Sequence, residues 1–195
     1  MKTLHILHSE AATGWGGQEI RIFQECQLLL DQGHKVSIVC QPNSILRNRC
    51  KTISSQNFNC YALRMKNPVN LFSILSFSKI IKRARPDLIH THSSIDSWLA
   101  GIVGKILGVP IIRSRHISIP IKKNFVNNWL YSDIPKKIIT SGEAISKIVS
   151  SVPGVDRAKV KSISAGVDFK RFDFNIDCGK IKKELNINSN QSLIG

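Results

Sequence analysis

Short apolar runs alternate with stretches of helical periodicity along most of this chain. Residues 4–8 read as a first strand, and residues 18–31 follow with helical spacing, Ile22, Cys26, Leu29 and Leu30 sharing one face. Gly33 stops that helix. Residues 35–40 form a second strand with Val36, Ile38 and Val39 apolar, then come a helix from about residue 44 and a short strand over 60–63. Residues 68–85 read as an amphipathic helix. Its predicted face is Leu71, Ile74, Leu75, Ser78 and Ile81, with Phe72 and Phe77 outside it. Lys79, Lys82, Arg83 and Arg85 load its C-terminal end, where positive charge suits the helix dipole, and Pro86 ends it. A strand over 87–92 leads to a helix over 95–107 stopped by Gly108; Ala100, Gly101 and Gly104 would let this helix pack closely on a sheet. Strands over 110–114, 136–140 and 160–163 and helices over 124–131 and 142–150 complete the alternation. The pattern predicts an α/β protein whose doubly wound, mostly parallel sheet is covered on both faces.

The character changes after about residue 174. Residues 177–190 are polar apart from a short helical segment over 180–185, and Ser192, Leu193, Ile194 and Gly195 read as the opening of a further strand. The expected division is one domain over residues 1–172, then a linker and the start of a truncated second domain over 173–195.

The first strand runs into Gly14, Trp15, Gly16, Gly17, Gln18 and Glu19. Adjacent glycines let a backbone pass close to a ligand, and a helix starting there aims unpaired N–H groups and the positive end of its dipole at that space. Such a turn suits a phosphate or carboxylate. The alternative is a plain strand-to-helix turn in which glycine supplies a positive φ. The spacing is not G-x-G-x-x-G, so a dinucleotide redox role is not supported.

Composition narrows the picture. With 42% hydrophobic residues in 195, the chain can bury a sizeable core. No run of about 18 apolar residues occurs, and Met1 to Ile6 lead into a strand without a signal-peptide pattern. The five cysteines, Cys26, Cys40, Cys50, Cys60 and Cys178, are odd in number and lack C-x-x-C spacing. That argues against a metal or disulfide framework and for a reducing cytoplasm. Lys and Arg total 28 against 13 acidic residues, a net charge of +15, which favours anionic partners: nucleic acid, anionic lipid or phosphorylated small molecules. A lysine-rich solvated surface is the plainer reading.

Ligands of a doubly wound sheet bind at the C-terminal ends of its strands. His90 and His92 fall there, two apart and so on one side of a strand; a metal pair is conceivable, but no third ligand is evident, and pairing with neighbouring backbone is the simpler expectation. His116 follows a strand with Arg113 and Arg115 beside it, and a like charge disfavours protonation, so its imidazole should stay neutral and free to polarise a substrate oxygen; a structural hydrogen-bonding role is the alternative. Ser141 and Glu143 lie near a helix start, where capping competes with ligand binding. No G-x-S-x-G elbow supports a serine hydrolase. Residues 124–131, preceded by Lys122 and Lys123, interleave Phe125, Trp129 and Tyr131 with amides, a composition that suits a membrane interface or simple helix packing. Nothing beyond net charge supports nucleic-acid binding.

Six stretches in order resemble the N-terminal domain of retaining glycosyltransferases of the family-4 type, which have the GT-B fold. They are Gly16-Gly17-Gln18-Glu19; the helix end leading to Gly33-His34-Lys35-Val36; Pro86-Asp87-Leu88-Ile89-His90-Thr91-His92; Gly108-Val109-Pro110 ahead of His116; Ser141-Gly142-Glu143-Ala144; and Ala165-Gly166-Val167-Asp168 followed by Arg171-Phe172. The resemblance covers about residues 3–172 and is specific for the superfamily, not for a sugar. It implies two Rossmann-like domains facing across a cleft, this one on the acceptor side, and glycosyl transfer with retention from a nucleotide-sugar that is substrate rather than cofactor, with no metal ion required. By the same resemblance the amides of Gly16 and Gly17 would approach the donor diphosphate and His116, the expected catalytic residue, would contact the transferred sugar or the acceptor. His92, Arg113, Ser141, Glu143, Gly166 and Asp168 would line the substrate site.

Two departures stand out: Ala165 replaces the family's usual Asn, and the Glu-x₇-Glu donor motif of the second domain is not in these 195 residues. The expectation is an enzyme half, inactive or nearly so by itself, completed by a C-terminal domain in cis or as a separate chain. Its full-length form would build a cell-envelope glycan or lipopolysaccharide in the cytoplasm, with peripheral contact to the inner face of an anionic membrane and no nucleic acid as partner. A non-catalytic module binding an anionic glycan or a partner protein is the alternative.

Overall fold

The computed structural model describes residues 2–67, 70–166, 179–188 and 191. Strands β1 (His5–Glu10), β2 (Lys35–Cys40), β3 (Phe58–Ala62), β4 (Leu88–Thr91), β5 (Ile111–Arg115), β6 (Lys137–Thr140) and β7 (Val160–Ser162) form one sheet in the order β3-β2-β1-β4-β5-β6-β7. Every neighbouring pair is parallel. The chain winds outward from β1 to β3, returns beside β1 as β4, and winds the other way to β7. The reversal between β1 and β4 is the switch point at which such sheets bind ligands.

Helices α1 (Gly17–Asp31), α2 (Ile45–Cys50), α3 (Leu71–Ala84), α4 (Ser94–Leu107), α5 (Phe125–Ser132) and α6 (Glu143–Ser150) connect these strands. The alternation of side chains along β2 shows how both faces are covered. Val36, Ile38 and Cys40 join Ile22 and Cys26 of α1 and Leu46 and Cys50 of α2 in one cluster. Val39 turns the other way, into the larger cluster with Leu7, Phe77, Leu99 and Ile138.

Several motif residues build this frame. His34 is buried, and its Nδ1 accepts the Leu4 N–H at 3.2 Å. Asp87 accepts the His5 N–H at 2.7 Å, while its own N–H donates to the His5 carbonyl. The Gly33-His34 and Pro86-Asp87 stretches therefore lock the entry to β1. Gly33 and Gly108 sit at φ values of 81° and 69°, where a side chain would be strained, and each ends a helix as the sequence predicts. In α4 a Cβ at Gly101 would lie 2.6 Å from Ile134 Cδ1, and one at Gly104 would lie 2.8 Å from Ile111 Cδ1, so the small residues do permit close approach.

The predicted face of α3 needs correction. Phe77 is fully buried with Ser73 and Ile81, and Ile74 and Ile80 pack beside them, whereas Leu71, Phe72 and Leu75 are exposed. Asn70 caps the helix by accepting the Ser73 N–H, and the Ser73 hydroxyl donates to the Arg64 carbonyl, which turns that face inward. The apolar residues here are too dense for periodicity to select one stripe.

Two compact units divide the chain, Met1–Ser164 and Ala165–Gly195. The second contains the short helix α7 (Gly179–Glu184). Asp168, the Arg171-Phe172 pair, Cys178 and the strand expected over 192–195 lie outside the described residues.

Candidate functional site

The strand ends at the switch point carry two sets of polar side chains, one on each face of the sheet. His8 on β1 lies in register with His90 on β4. His8 Nδ1 and His92 Nε2 are 3.0 Å apart, and His90 Nε2 bonds to Ser114 Oγ at 2.8 Å. The rings cluster: His90 lies tilted against His8 and His92 with centroids 5.0 and 4.2 Å away, while His92 stacks on His8 at 5.3 Å and on His116 at 6.0 Å, a histidine row that runs from β1 to the end of β5. The Glu25 carboxylate of α1 comes within 4.0 Å of His90 Nδ1. His90 and His92 therefore pair with side chains rather than with backbone, and β1 supplies the third imidazole that sequence spacing did not reveal.

Burial keeps these imidazoles neutral. It lowers His8 to about 4 and holds His90 and His92 well below the usual histidine range, the neighbouring imidazoles adding to the effect. His116, half-buried, is lowered to about 4, first by burial and then by the Arg21 guanidinium of α1. The predicted neutrality stands, but its cause differs: alternation along β5 carries Arg113 and Arg115 to the opposite face from Ser114 and the histidine row.

On that other face, Arg113 Nη2 and Arg115 Nη1 both donate to the Tyr131 hydroxyl of α5, at 3.1 and 2.7 Å. The Arg113 guanidinium stacks over the Tyr131 ring, 4.1 Å from its centroid. Asp96 of α4 is fully buried and accepts from Ser9 Oγ, from the His92 N–H and from the Ser93 N–H at 2.8–2.9 Å. Burial raises Asp96, and it raises Glu10 to about 8, with the Asp96 charge adding to the shift at Glu10. Arg113 is thus an interior cation beside Asp96 rather than a side chain open to solvent.

The Gly16-Gly17 turn occupies the N-terminus of α1. Gly16 caps the helix at φ −126°, and neither Gly16 nor Gly17 has a positive φ, so conformational need does not explain them. A Cβ at Gly17 would meet nothing within 4 Å, and one at Gly16 would meet only the Glu19 carboxylate at 3.4 Å. Both positions leave the helix entrance bare. Glu19 Oε2 accepts the Gly16 N–H at 2.7 Å, so a carboxylate of the same helix already answers one of the amides expected to face an anion. Gln18 Nε2 donates to Glu10, which ties the turn to the end of β1. Glu19 and Arg21, in the first turns of α1, act electrostatically on His116, which sets the His116 imidazole in the neighbourhood of the start of that helix.

The remaining expected site residues are more dispersed. Ser141 is half-buried and donates weakly to the His116 carbonyl at 3.5 Å. Glu143 is exposed in the first turn of α6, and the cap there is Gly142, so neither residue does the capping. Gly166 is exposed in the second unit. Sequence reasoning missed His8, Glu10 and Asp96. A signal existed for His8, because a polar residue near the C-terminal end of an apolar first strand sits where doubly wound sheets bind.

Among curated proteins the chain is 24% identical, over 95% of its length, to the UDP-Gal:α-D-GlcNAc-diphosphoundecaprenol α-1,3-galactosyltransferase of Escherichia coli, covering 51% of that protein. A glycosyltransferase crystal structure from Rickettsia africae superposes with a TM-score of 0.80 at 21% identity, over 97% of this chain and 51% of that one. Anabaena Alr3699/HepE in complex with UDP-glucose superposes at 0.73 and 15% identity, over 94% of this chain and 50% of that one. The chain thus spans about half the length of these relatives, and its sheet is the N-terminal Rossmann-like half of a GT-B fold. The sequence match agrees with the architecture: the model of Glycosyltransferase Family 4 covers residues 15–171, most of the chain, and the chain belongs to that family.

Proposed function

We propose that this chain is the acceptor-side half of a retaining glycosyltransferase. The full-length enzyme transfers a hexosyl unit from a nucleotide-sugar to a cell-envelope glycan acceptor of the lipopolysaccharide type. The observation that carries this reading is the convergence of His116 on the entrance of α1. The imidazole is neutral, and its Nε2 is buried without a partner among the described residues. Such a nitrogen has hydrogen-bonding capacity for a sugar hydroxyl. At the same place, the bare Gly16-Gly17 turn offers helix N-terminal amides to the charge that builds on a departing diphosphate. The Glu19 carboxylate on the Gly16 N–H is the group that an arriving diphosphate displaces, which leaves Gly17 as the readier of the two contacts.

The acceptor reading draws on the Escherichia coli relative, whose named acceptor is a lipid-linked GlcNAc diphosphate. The surface around the start of α5 is compatible with such an acceptor. Ile117, Ile119, Phe125 and Val126 are exposed, Phe125 to 84%, alongside Lys122 and Lys123. Apolar side chains flanked by lysines suit peripheral contact with an anionic membrane. The remainder of α5 is packing, since Trp129 stacks on Trp98 and Tyr131 is buried. No helix among the described residues is long and apolar enough to cross a membrane. The inner face of the cytoplasmic membrane is the proposed place of work.

The donor-binding half is proposed to come from a C-terminal domain, in cis or as a second chain, so the 195 residues alone should transfer little or no sugar. Incubating the purified chain with UDP-hexoses and polyprenyl-diphosphate-GlcNAc tests this. No glycosylated lipid is expected from the chain, and product is expected from the full-length protein. Sugar transfer by the chain alone would overturn the half-enzyme reading.

A further inference from the structure

We propose that His8, His90 and His92 form a binding site for one divalent transition-metal cation of the zinc class, seated between β1, β4 and α1 and separate from the transfer chemistry. Each ring offers a nitrogen, and the three nitrogens lie within 4.8 Å of one another. Parallel pairing sets His8 opposite His90, and the two-residue step along the chain brings His92 to the same side. A tetrahedral cation bound at about 2.0–2.1 Å from imidazole nitrogen needs nitrogens about 3.3–3.4 Å apart. His8 Nδ1 and His92 Nε2 are already 3.0 Å apart. Opening that contact by a few tenths of an ångström, moving its proton to the far nitrogen of the same ring, and closing the wider pairs of a trio that lies within 4.8 Å would seat the cation between the three rings.

A second observation points the same way. Among the described residues His8 Nε2 and His92 Nδ1, the far-side nitrogens of the two rings, are buried without a protein partner, so each can hold the N–H that frees the facing nitrogen to ligate. Buried polar atoms ordinarily have a partner, so these rings carry more capacity than the fold consumes. His90 is oriented from outside the trio, with Ser114 Oγ 2.8 Å from its Nε2, the type of contact that fixes a ligating imidazole. The Glu25 carboxylate near His90 and the Asp96 carboxylate on the His92 N–H are the acidic groups that offset added positive charge. Arg21 opposes it, which disfavours weakly held cations. Three neutral imidazoles select zinc, cobalt, nickel or copper over magnesium or calcium, whose preferred ligands are oxygens. Three protein ligands leave a fourth position for water or another small molecule.

The test is metal binding by the whole chain, which needs no transfer assay. Chelator-treated protein is titrated with Zn²⁺ against a chromophoric competitor, and X-ray absorption spectra are recorded on the one-to-one sample. The expected result is one equivalent bound with a dissociation constant below about 10 µM, and a first shell of nitrogen with imidazole scattering. His92→Gln, checked for folding by circular dichroism, should weaken binding by at least about 10-fold, while Cys60→Ser should not. Absence of a stoichiometric ion, a sulfur-containing first shell, or unchanged affinity in folded His92→Gln would each overturn the proposal. If His92→Gln does not fold, the first-shell spectrum of the unmodified protein decides.

Discussion

Two guanidinium groups share one phenol on the α4–α5 side of the sheet. Arg113 Nε and Nη1 and Arg115 Nε are already buried without partners, so the Tyr131 hydroxyl supplies a large part of what satisfies this pair. Tyr131→Phe keeps the ring under Arg113 and removes only the acceptor. Hydrogen bonds to charged groups are worth about 1.5–3 kcal/mol each, and leaving such groups unpaired in the interior is costly. The expected loss is about 2–4 kcal/mol, read as a lower urea midpoint with an unchanged slope. An unchanged midpoint would show that water already serves these groups. This arrangement was only half legible in the sequence. The arginines and the tyrosine were visible, but the period of two that separates Arg113 and Arg115 from His116 was not applied to the end of β5. The neutrality of His116 was therefore expected for the wrong reason, its cation being Arg21 from α1.

At the scale of elements, the sequence reads best where backbone chemistry is local. Gly33 and Gly108 stop their helices, the helices expected from about residues 44 and 124 start there, and β1 to β7 lie within a few residues of their expected places. Where tertiary packing selects among equivalent patterns, the reading fails, as in α3. The histidine row is of the same kind, because His8 and His90 are 82 positions apart and only the return of β4 beside β1 joins them. The α4 contact is legible and testable. Gly101→Ala gains up to about 1 kcal/mol of helix propensity, yet its Cβ would stand 2.6 Å from Ile134 Cδ1 and 3.0 Å from Cγ2. Overpacking of this kind costs about 1–3 kcal/mol. A net loss of stability is expected by thermal unfolding, and relief by the double substitution with Ile134→Val. A stabilised Gly101→Ala protein would mean that α4 is not seated as closely on Ile134 as described.

For the molecule as a whole, charge and topology act together. A net charge of +15 favours anionic partners, and exposed apolar residues stand at the start of α5, the surface proposed to meet an anionic membrane. Co-sedimentation with vesicles rich in anionic phosphatidylglycerol should capture the chain at low salt, and Phe125→Asp should reduce capture severalfold. Equal binding to zwitterionic vesicles, or no effect of the substitution, would count against that surface. The proposed enzyme works through His116, just past the C-terminal end of β5. The most direct test measures hexose transfer to a lipid-linked acceptor by the full-length protein with His116 and with His116→Ala. Removing a sugar-contacting group of this kind should lower kcat by about 100-fold or more with the fold intact. Because the imidazole stays neutral down to about 4, the unmodified enzyme should show no loss of rate from this group as the pH falls through 6.5. Near-unmodified turnover by a folded His116→Ala protein would remove His116 from the site and contradict the account.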